Sequence, residues 1–305
     1  IWRKPLISQY KQYSIIGMPP PSSGGVAIGQ LFSMIKPYPL ARWGAQSDST
    51  IQVMIEAERR VYADRAKWLG DPDFVKVPVN ELIDPAYNAT RMLSMKFAQA
   101  TPSSSIQAGT FPGYESPETT HYSIVDGEGN AVSITTTLNN SYGSKVFVGG
   151  AGFLLNDEMD DFSAKAGSPN LYGLIGSKAN EIQPNKRMLS SMTPTIVEEN
   201  GQLKMVVGTP GGATIITSVF QVVLNTLEMG MNMQQAVEQI KTWIEKKQSA
   251  YVCVTPAHAI MECAGIGYYL HISLTTYGQI ADGDIRLFTH PVYREDAQLL
   301  YGFAT

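Results

Sequence analysis

Residues 119–138 read TTHYSIVDGEGNAVSITTTL and predict a β-hairpin. Two runs rich in β-branched residues flank Asp126-Gly-Glu-Gly129, a sequence that favours a tight turn. If Asp126 pairs with Gly129, Thr119 lies opposite Thr136 and beside Thr137, so that both strand ends meet at one edge of a sheet. A shift of one residue in this register would change which threonine faces that edge.

Thr119 is a candidate nucleophile, because a base could be created on the same residue. A threonine hydroxyl alone reacts poorly, but cleavage between Glu118 and Thr119 would free an α-amine that can take its proton. Such an amine has an unperturbed pKa of about 7.7–8.0, close to working pH. Two threonines at the start of a strand also agree with the high β-propensity of threonine. These residues alone therefore fit a nucleophile and an ordinary strand residue equally well as interpretations that stay open.

Composition excludes several classes of protein. The net charge of −4 and the pI near 5.6 argue against nucleic acid as a main partner. No apolar run reaches the roughly 18–20 residues of a membrane span. The two cysteines and four histidines have no metal-ligand spacing, so we expect no metal site.

Periodicity and turn signals predict helices on both sides of a strand-rich centre. The expected strands are Tyr10–Met18, Thr120–Val125, Asn130–Leu138, Thr193–Glu198 and Gln202–Val207, the last two joined by Asn200-Gly201. The expected helices are Val26–Ile35, a long helix capped by Asp48-Ser-Thr50 that ends at Leu69, one or two within 81–97, one from Gly212 to about Met229, and one near Asn232. Residues 103–118 are expected to form a loop. This order predicts an α+β fold with an antiparallel core.

Seven segments, taken in order, resemble motifs of the gamma-glutamyltranspeptidase family. They are MPPPSSGG (18–25), YADR (62–65), GDPDFVKVP (70–78), ETTHYS (118–123), LNDEMDDFS (155–163), PNKRMLSSM (184–192) and GTPGG (208–212). The resemblance implies an N-terminal-nucleophile hydrolase with a four-layer αββα sandwich, incomplete in this chain. It also implies a precursor that cleaves itself between Glu118 and Thr119, giving a large and a small subunit that stay together.

The resemblance assigns a role to each candidate residue. It implies Thr119 as nucleophile, Thr137 as the residue that orients its hydroxyl, and Gly211 and Gly212 as the oxyanion hole. It further implies Asn139, Glu158 and Asp161 as ligands of the substrate α-amino group, Ser190 and Ser191 as ligands of the α-carboxylate, and Tyr172 as a lid residue. Backbone amides at a helix N-terminus suit developing negative charge, although the glycines could serve only a tight turn. On residues alone, the acidic cluster of Asp157, Glu158, Asp160 and Asp161 is better explained as a solvated loop.

The resemblance also divides the chain and shows two departures. Residues 1–118 match the C-terminal part of the large subunit, residues 119–239 the small-subunit core, and residues 240–305 form an atypical tail. The N-terminal part of the family's large subunit, which carries an arginine for the substrate carboxylate, is not matched. A frameshifted gene, a foreign segment and genuine divergence all stay open as origins of the tail.

The expected reaction is transfer or hydrolysis of the γ-glutamyl group of glutathione or a related donor, with an amino acid, a peptide or water as acceptor. No metal or organic cofactor is implied. One alternative is a related acylase, similar to cephalosporin acylase, and another is a non-catalytic fragment. The resemblance implies a periplasmic or extracellular location.

Overall fold

The computed structural model describes residues 1–97, 99–102, 105–106, 119–140, 142–163, 177–212, 214–245, 278–281 and 284–287. Its helices are α1 (Gly24–Ile35), α2 (Leu40–Trp43), α3 (Asp48–Trp68), α4 (Val79–Leu82), α5 (Pro85–Met92), α6 (Thr214–Leu227) and α7 (Met233–Glu245). Its strands are β1 (Leu6–Tyr10), β2 (Tyr13–Gly17), β3 (Thr119–Val125), β4 (Ala131–Thr137), β5 (Phe147–Val148), β6 (Phe153–Leu154), β7 (Thr195–Glu199), β8 (Gln202–Val207), β9 (Gly278–Ala281) and β10 (Asp284–Leu287).

An antiparallel sheet in the order β1-β2-β7-β8 forms the base of the fold. Asn200 and Gly201 join β7 to β8 with φ values of 52° and 76°, the left-handed pair that a two-residue hairpin turn needs. Helix α1 packs against β1 and β2, and its Phe32 meets Phe220 of α6 edge to face at 5.2 Å. The main core therefore joins the sheet to the helices α1, α3 and α6.

Two local predictions were wrong. The segment predicted as one strand from Tyr10 to Met18 lies in two strands, because the chain reverses at Lys11 with φ 53° and β2 pairs back onto β1. Strand β1 was missed because it is an edge strand with a mostly half-exposed pattern. Helix α3 is capped by Ser47, whose Oγ accepts from the Thr50 amide, and not by the following three residues.

The register of the β3–β4 hairpin differs from the prediction by one residue. Thr119 pairs with Thr137, and Thr120 pairs with Thr136. The turn holds three residues and not two: the Asp126 amide donates to the Asn130 carbonyl, and Gly129 has φ 87°. The Asp126 carboxylate accepts from the Asn130 amide at 2.8 Å, so the turn chemistry itself sets the longer loop.

The hairpin lies against β7 and β8, which makes a second β layer. Ser133 Oγ donates to the Val207 carbonyl at 3.3 Å across this interface. The outward face of the hairpin is apolar and exposed, with Tyr122, Ile124, Val132 and Ile134 each 44–56% accessible. In the part of the chain that the structure describes, the layers are therefore helices, sheet and hairpin, with the outer hairpin face uncovered.

Two searches of the described residues were negative. No described helix is long and apolar enough to cross a membrane. No group of three or more His, Cys, Asp or Glu side chains with the geometry of a metal site was found there.

We expect the 305-residue chain to bind a hydrophobic dye through the outer hairpin face, because contiguous apolar patches attract such probes. Ile134→Ser should lower the fluorescence of bound dye. Ile7→Ser is the matched control, since Ile7 is 52% exposed on β1, away from this patch. Equal losses of fluorescence in the two variants would contradict a localised patch.

Candidate active site

One open cavity brings together most of the residues predicted to form the site. It is lined by Thr119, Thr137, Asn139, Asp161, Leu189, Ser190, Ser191, Met192, Gly212 and Ile215. Glu158 and Gly211 are not in this lining, although each belongs to a segment that contributes to it. Tyr172 and Glu118 lie outside the described residues.

The two threonines reach the cavity from opposite strands. They form a directly opposed pair, whose Cβ atoms are typically about 4.5–5.5 Å apart. Thr137 Oγ1 accepts from the Asn139 amide at 2.9 Å, which fixes the rotamer of the hydroxyl. Asn139 itself is buried with φ 77°, a conformation that asparagine tolerates better than most residues.

Asp157 organises the loop that follows β4, and sequence reasoning did not identify it. Its carboxylate accepts from the Asn140 amide at 3.0 Å and from Asn140 Nδ2 at 2.6 Å. Its carbonyl accepts from Asn139 Nδ2 at 3.3 Å, and its amide donates to the Leu138 carbonyl at 3.1 Å. These contacts tie the end of β4 to the acidic turn that comes next in the chain.

The acidic turn is a 3-10 helix, Glu158–Asp161, whose last residue reaches the cavity. Asn180 donates from Nδ2 to the Asp161 carbonyl at 2.7 Å and accepts through Oδ1 from the Leu189 amide at 2.9 Å. This buried amide therefore joins the acidic turn to the segment that carries the serines. Burial, together with the nearby charge of Asp157, raises the pKa of Glu158, so this carboxylate would lose its charge at a higher pH than usual.

The serines lie on residues 189–193, here called the serine strip. The strip is paired with the proline–glycine loop, residues 19–25: Ser23 donates from its amide and from Oγ to the Ser190 carbonyl, at 2.8 Å and 2.7 Å. Ser22 Oγ donates to the Met192 carbonyl at 2.6 Å. The MPPPSSGG motif therefore acts by holding the strip in place.

Arg65, near the end of α3, also contacts the serine strip. Its Nη2 donates to Ser191 Oγ at 2.6 Å, and its Nε donates to Ser23 Oγ at 2.9 Å. The residue is only 5% exposed. The sequence contained a signal for it in the YADR motif, but a charged residue near a helix end is more often solvated.

Gly211 and Gly212 connect β8 to α6 with positive φ values, which glycine adopts most readily. Their φ values are 131° and 55°. The carbonyl of Gly211 accepts from the amide and the hydroxyl of Thr214, and the carbonyl of Gly212 accepts from the Ile215 amide. Within the described residues, neither glycine amide has an acceptor, so both N–H groups remain at the N-terminal end of α6, where an oxyanion is favoured.

His121 packs directly on Gly208, just before the glycine turn. A Cβ on Gly208 would lie 2.2 Å from the imidazole Cε1 atom. The ring nitrogens are 2.9 Å from Thr135 Oγ1 and 2.9 Å from Ser123 Oγ. Partial burial lowers the pKa of His121 and favours the neutral ring at neutral pH. The strand of the candidate nucleophile is therefore in contact with the segment that leads to Gly211 and Gly212.

The fold is that of the N-terminal-nucleophile hydrolases. A crystal structure of cephalosporin acylase from Bacillus halodurans matches 78% of this chain and 40% of that chain with a TM-score of 0.65. The two sequences are 24% identical, so this likeness shows the fold alone. The described layers form an incomplete αββα sandwich of this type.

The chain belongs to the gamma-glutamyltranspeptidase family, whose sequence model matches residues 1–253. It is 48% identical over 234 residues to the glutathione hydrolase proenzyme of Escherichia coli strain K12, covering 77% of this chain and 40% of that protein. It is 37% identical to the acylase ACY 1 proenzyme of Pseudomonas sp. strain SE83, covering 80% and 41% respectively. The chain thus spans about two fifths of the length of these relatives.

The C-terminal residues match a different family. The model of the RuvA N terminal domain matches residues 250–302. Of this segment, the structure describes only the backbone hairpin of β9 and β10. The predicted boundary at residue 240 stays a prediction.

We predict that Gly208→Ala destabilises the protein by about 1–3 kcal/mol, the usual cost of overpacking a close contact. Urea unfolding followed by circular dichroism measures this. In a His121→Ala background the cost should largely disappear, because the clashing ring is gone.

Gly127→Ala is the matched control, because a Cβ there would meet no atom within 4 Å. We expect it to change stability by less than about 0.5 kcal/mol. An undiminished cost of Gly208→Ala in the His121→Ala background would show that the ring contact is unimportant.

Proposed function

We propose that this chain carries the nucleophile and the substrate-binding groups of an enzyme that transfers or hydrolyses γ-glutamyl groups, with glutathione as a donor. The observation that supports this most strongly is the composition of the cavity. It combines Thr119 with groups suited to both charges of an amino acid: the Asp161 carboxylate for an ammonium, and Ser190 and Ser191 for a carboxylate.

The proposed reaction has two acyl-transfer steps. After cleavage before Thr119, its Oγ attacks the γ-carbonyl carbon while its α-amine takes the hydroxyl proton. The amides of Gly211 and Gly212 hold the oxyanion. The C–N bond breaks, the α-amine gives the proton to the leaving amine, and a threonyl ester remains.

In the second step, water or the amino group of an acceptor attacks the ester carbon. The α-amine takes a proton from the attacking group and returns it to Thr119 Oγ as the ester bond breaks. The proposed enzyme is a heterodimer of the two cleaved subunits. Its proposed periplasmic or extracellular location rests on the family resemblance.

Asn139, Glu158 and Asp161 are proposed to bind the α-ammonium, and Tyr172 is proposed to cover the bound group. The short connections from Asp157 to Asn139 and Asn140 support the first assignment, because they hold the two loops together. An acyl group without an α-ammonium would not need these carboxylates. The two carboxylates therefore argue against an acylase for acyl groups of that kind.

We predict that the protein cleaves itself between Glu118 and Thr119, and that Thr119→Ala remains a single chain. A denaturing gel shows the cleavage, and mass spectrometry of the smaller fragment gives its N-terminus. Thr120→Ala is the control, since Thr120 faces outward on β3 and is exposed. A fragment that begins at any residue other than Thr119 would refute the assignment.

We predict that Asp161→Asn raises KM for a γ-glutamyl anilide about ten- to a hundred-fold. A hydrogen bond to a charged group is worth about 1.5–3 kcal/mol, and the amide cannot replace it. Release of p-nitroaniline measures the kinetics, and thermal unfolding checks the fold.

Asp160→Asn is the control for this experiment, because Asp160 belongs to the same turn but does not line the cavity. We expect it to affect KM far less. If a folded Asp161→Asn protein keeps the KM and kcat of the parent, the acidic turn is only a solvated loop.

A further inference from the structure

Residues 70–73, here called the GDPD segment, follow helix α3 and support the chain that leads to both charged walls of the cavity. A Cβ on Gly70 would lie 2.3 Å from the Ala179 carbonyl oxygen, so the two backbones are in direct contact. Asp71 accepts through Oδ2 from the Arg187 amide at 2.8 Å, and its side chain is completely buried. The GDPD segment therefore contacts the chain at two points before the serine strip.

Each of these two contacts leads to a wall of the cavity. Asn180 follows the first contact directly. It donates to the Asp161 carbonyl of the acidic turn and accepts from the Leu189 amide of the serine strip. Arg187, at the second contact, lies two residues before Leu189. The wall proposed to bind the α-ammonium and the wall proposed to bind the α-carboxylate therefore rest on one common base.

We propose that Asp71 is a positioning residue that keeps these two walls at the separation that an α-amino acid group requires, and that it acts through the backbone amide of Arg187. Asp71 is not among the residues that line the cavity, so it is not proposed to touch the substrate. The inference rests on the proposed function, because that function needs both walls at once.

The hydrogen bond from the Arg187 amide is the contact best suited to this role. A carboxylate that accepts from a backbone N–H makes a charge-assisted hydrogen bond, and full burial keeps water from competing for it. The Arg187 guanidinium also pairs with Asp71 at 3.7 Å and with Asp73 at 3.2 Å, but the Arg187 side chain is 42% exposed. Exposed ion pairs contribute little. The chain before the serine strip is therefore held mainly through its backbone.

Asp71 also lies near the buried ammonium of Lys186, and this second effect must be separated from the first. Lys186 is 7% exposed, and its Nζ has no hydrogen-bond partner among the described residues. Burial lowers the pKa of Lys186, whereas the charges of Asp71 and Glu181 raise it. Removing a counter-charge from a buried cation is strongly destabilising, so loss of the Asp71 charge would also weaken the fold.

The hydrogen bond between Arg187 and Asp71 crosses the proposed cleavage point. Asp71 precedes Glu118 and Thr119, whereas Arg187 and the serine strip follow them. In the cleaved protein this bond would join two separate chains. Both charged walls would belong to the small subunit, and their spacing would be set from the large subunit.

Loss of position has a kinetic signature that differs from loss of folded protein. In the described part of the chain, the hydrogen bonds and ion pairs of the Asp71 carboxylate go to Arg3, Asp73 and Arg187. If the walls are in place in only a fraction of the molecules, the apparent affinity falls by that fraction, while a bound donor still reacts at the parent rate. KM then rises and kcat stays. Unfolding of part of the sample would instead lower kcat and leave KM unchanged.

We expect Asp71→Asn to raise KM for γ-glutamyl-p-nitroanilide about ten-fold, which corresponds to walls in place in about one molecule in ten. The kcat per cleaved molecule should stay within about two-fold of the parent value. Asparagine keeps one acceptor oxygen, but its amide group donates where the carboxylate accepts. Release of p-nitroaniline gives the kinetics, and a denaturing gel gives the cleaved fraction.

Asp73→Asn is the matched control. Asp73 belongs to the same segment and pairs with Arg3 and Arg187, but it is exposed. We expect its KM to stay within about two-fold of the parent value, because exposed ion pairs contribute little.

Lys186→Met in the Asp71→Asn background separates position from charge compensation. Methionine removes the buried charge, so the double variant should regain the thermal stability that Asp71→Asn loses. KM should remain raised, because the Arg187 amide still lacks its carboxylate. This double variant also decides the question if Asp71→Asn alone does not fold.

Three results would overturn the role of Asp71 and leave the proposed function intact. They are a parental KM in folded Asp71→Asn, a return of KM to the parental value in the double variant, and failure of both variants to fold, which would make Asp71 a structural residue. If the parent protein neither turns over γ-glutamyl-p-nitroanilide nor binds it, the proposed function fails first, and the inference fails with it.

Discussion

The close approach of the proline–glycine loop to the serine strip is the constraint on which the rest of the site depends. A Cβ on Gly24 would lie 2.6 Å from Thr193 Oγ1 and 2.8 Å from the Met192 carbonyl, so only glycine fits there. This contact brings the N-terminus of α1 against the strip and lets Ser22 and Ser23 bond to it. Without it, the strip would lose its hydrogen bonds to Ser22 and Ser23.

Side-chain hydrogen bonds also join the other walls of the cavity. Asn180 links the acidic turn to Leu189, and Asp157 links that turn to the end of β4. Hydrogen bonds are directional, so the loss of one of them would displace the neighbouring wall of the cavity. They make the cavity a connected network, in which distant substitutions can affect substrate geometry.

The sequence predicted the longer helices and the hairpins β3–β4 and β7–β8, but it missed the β1–β2 hairpin and the contacts between the elements. Helix α3 and the Asn200-Gly201 turn could be predicted because local propensity and tertiary packing agree. The register of β3–β4 was wrong by one residue, because the side chain of Asp126 favours a three-residue loop. Arg65 and Asp157 lie in segments that resemble family motifs, but no role was assigned to them or to Asn180, because their hydrogen-bond partners are distant in the chain.

The hairpin that carries Thr119 has an unusual distribution of polarity. Strand alternation places Thr119, His121, Ser123, Ser133, Thr135 and Thr137 on the inward side, with Val125 and Ala131 beside the turn, while the large side chains of Tyr122, Ile124, Val132 and Ile134 point outward. The hydrophobic effect therefore contributes little to holding the hairpin on β7 and β8. Polar contacts, such as that of Ser133 with Val207, must hold it instead. Burying the outer face under another layer would add the missing apolar stabilisation, at about 25 cal/mol per Å² covered. The position of Thr119, the proposed nucleophile, is therefore expected to depend on what covers the outer face of its own hairpin.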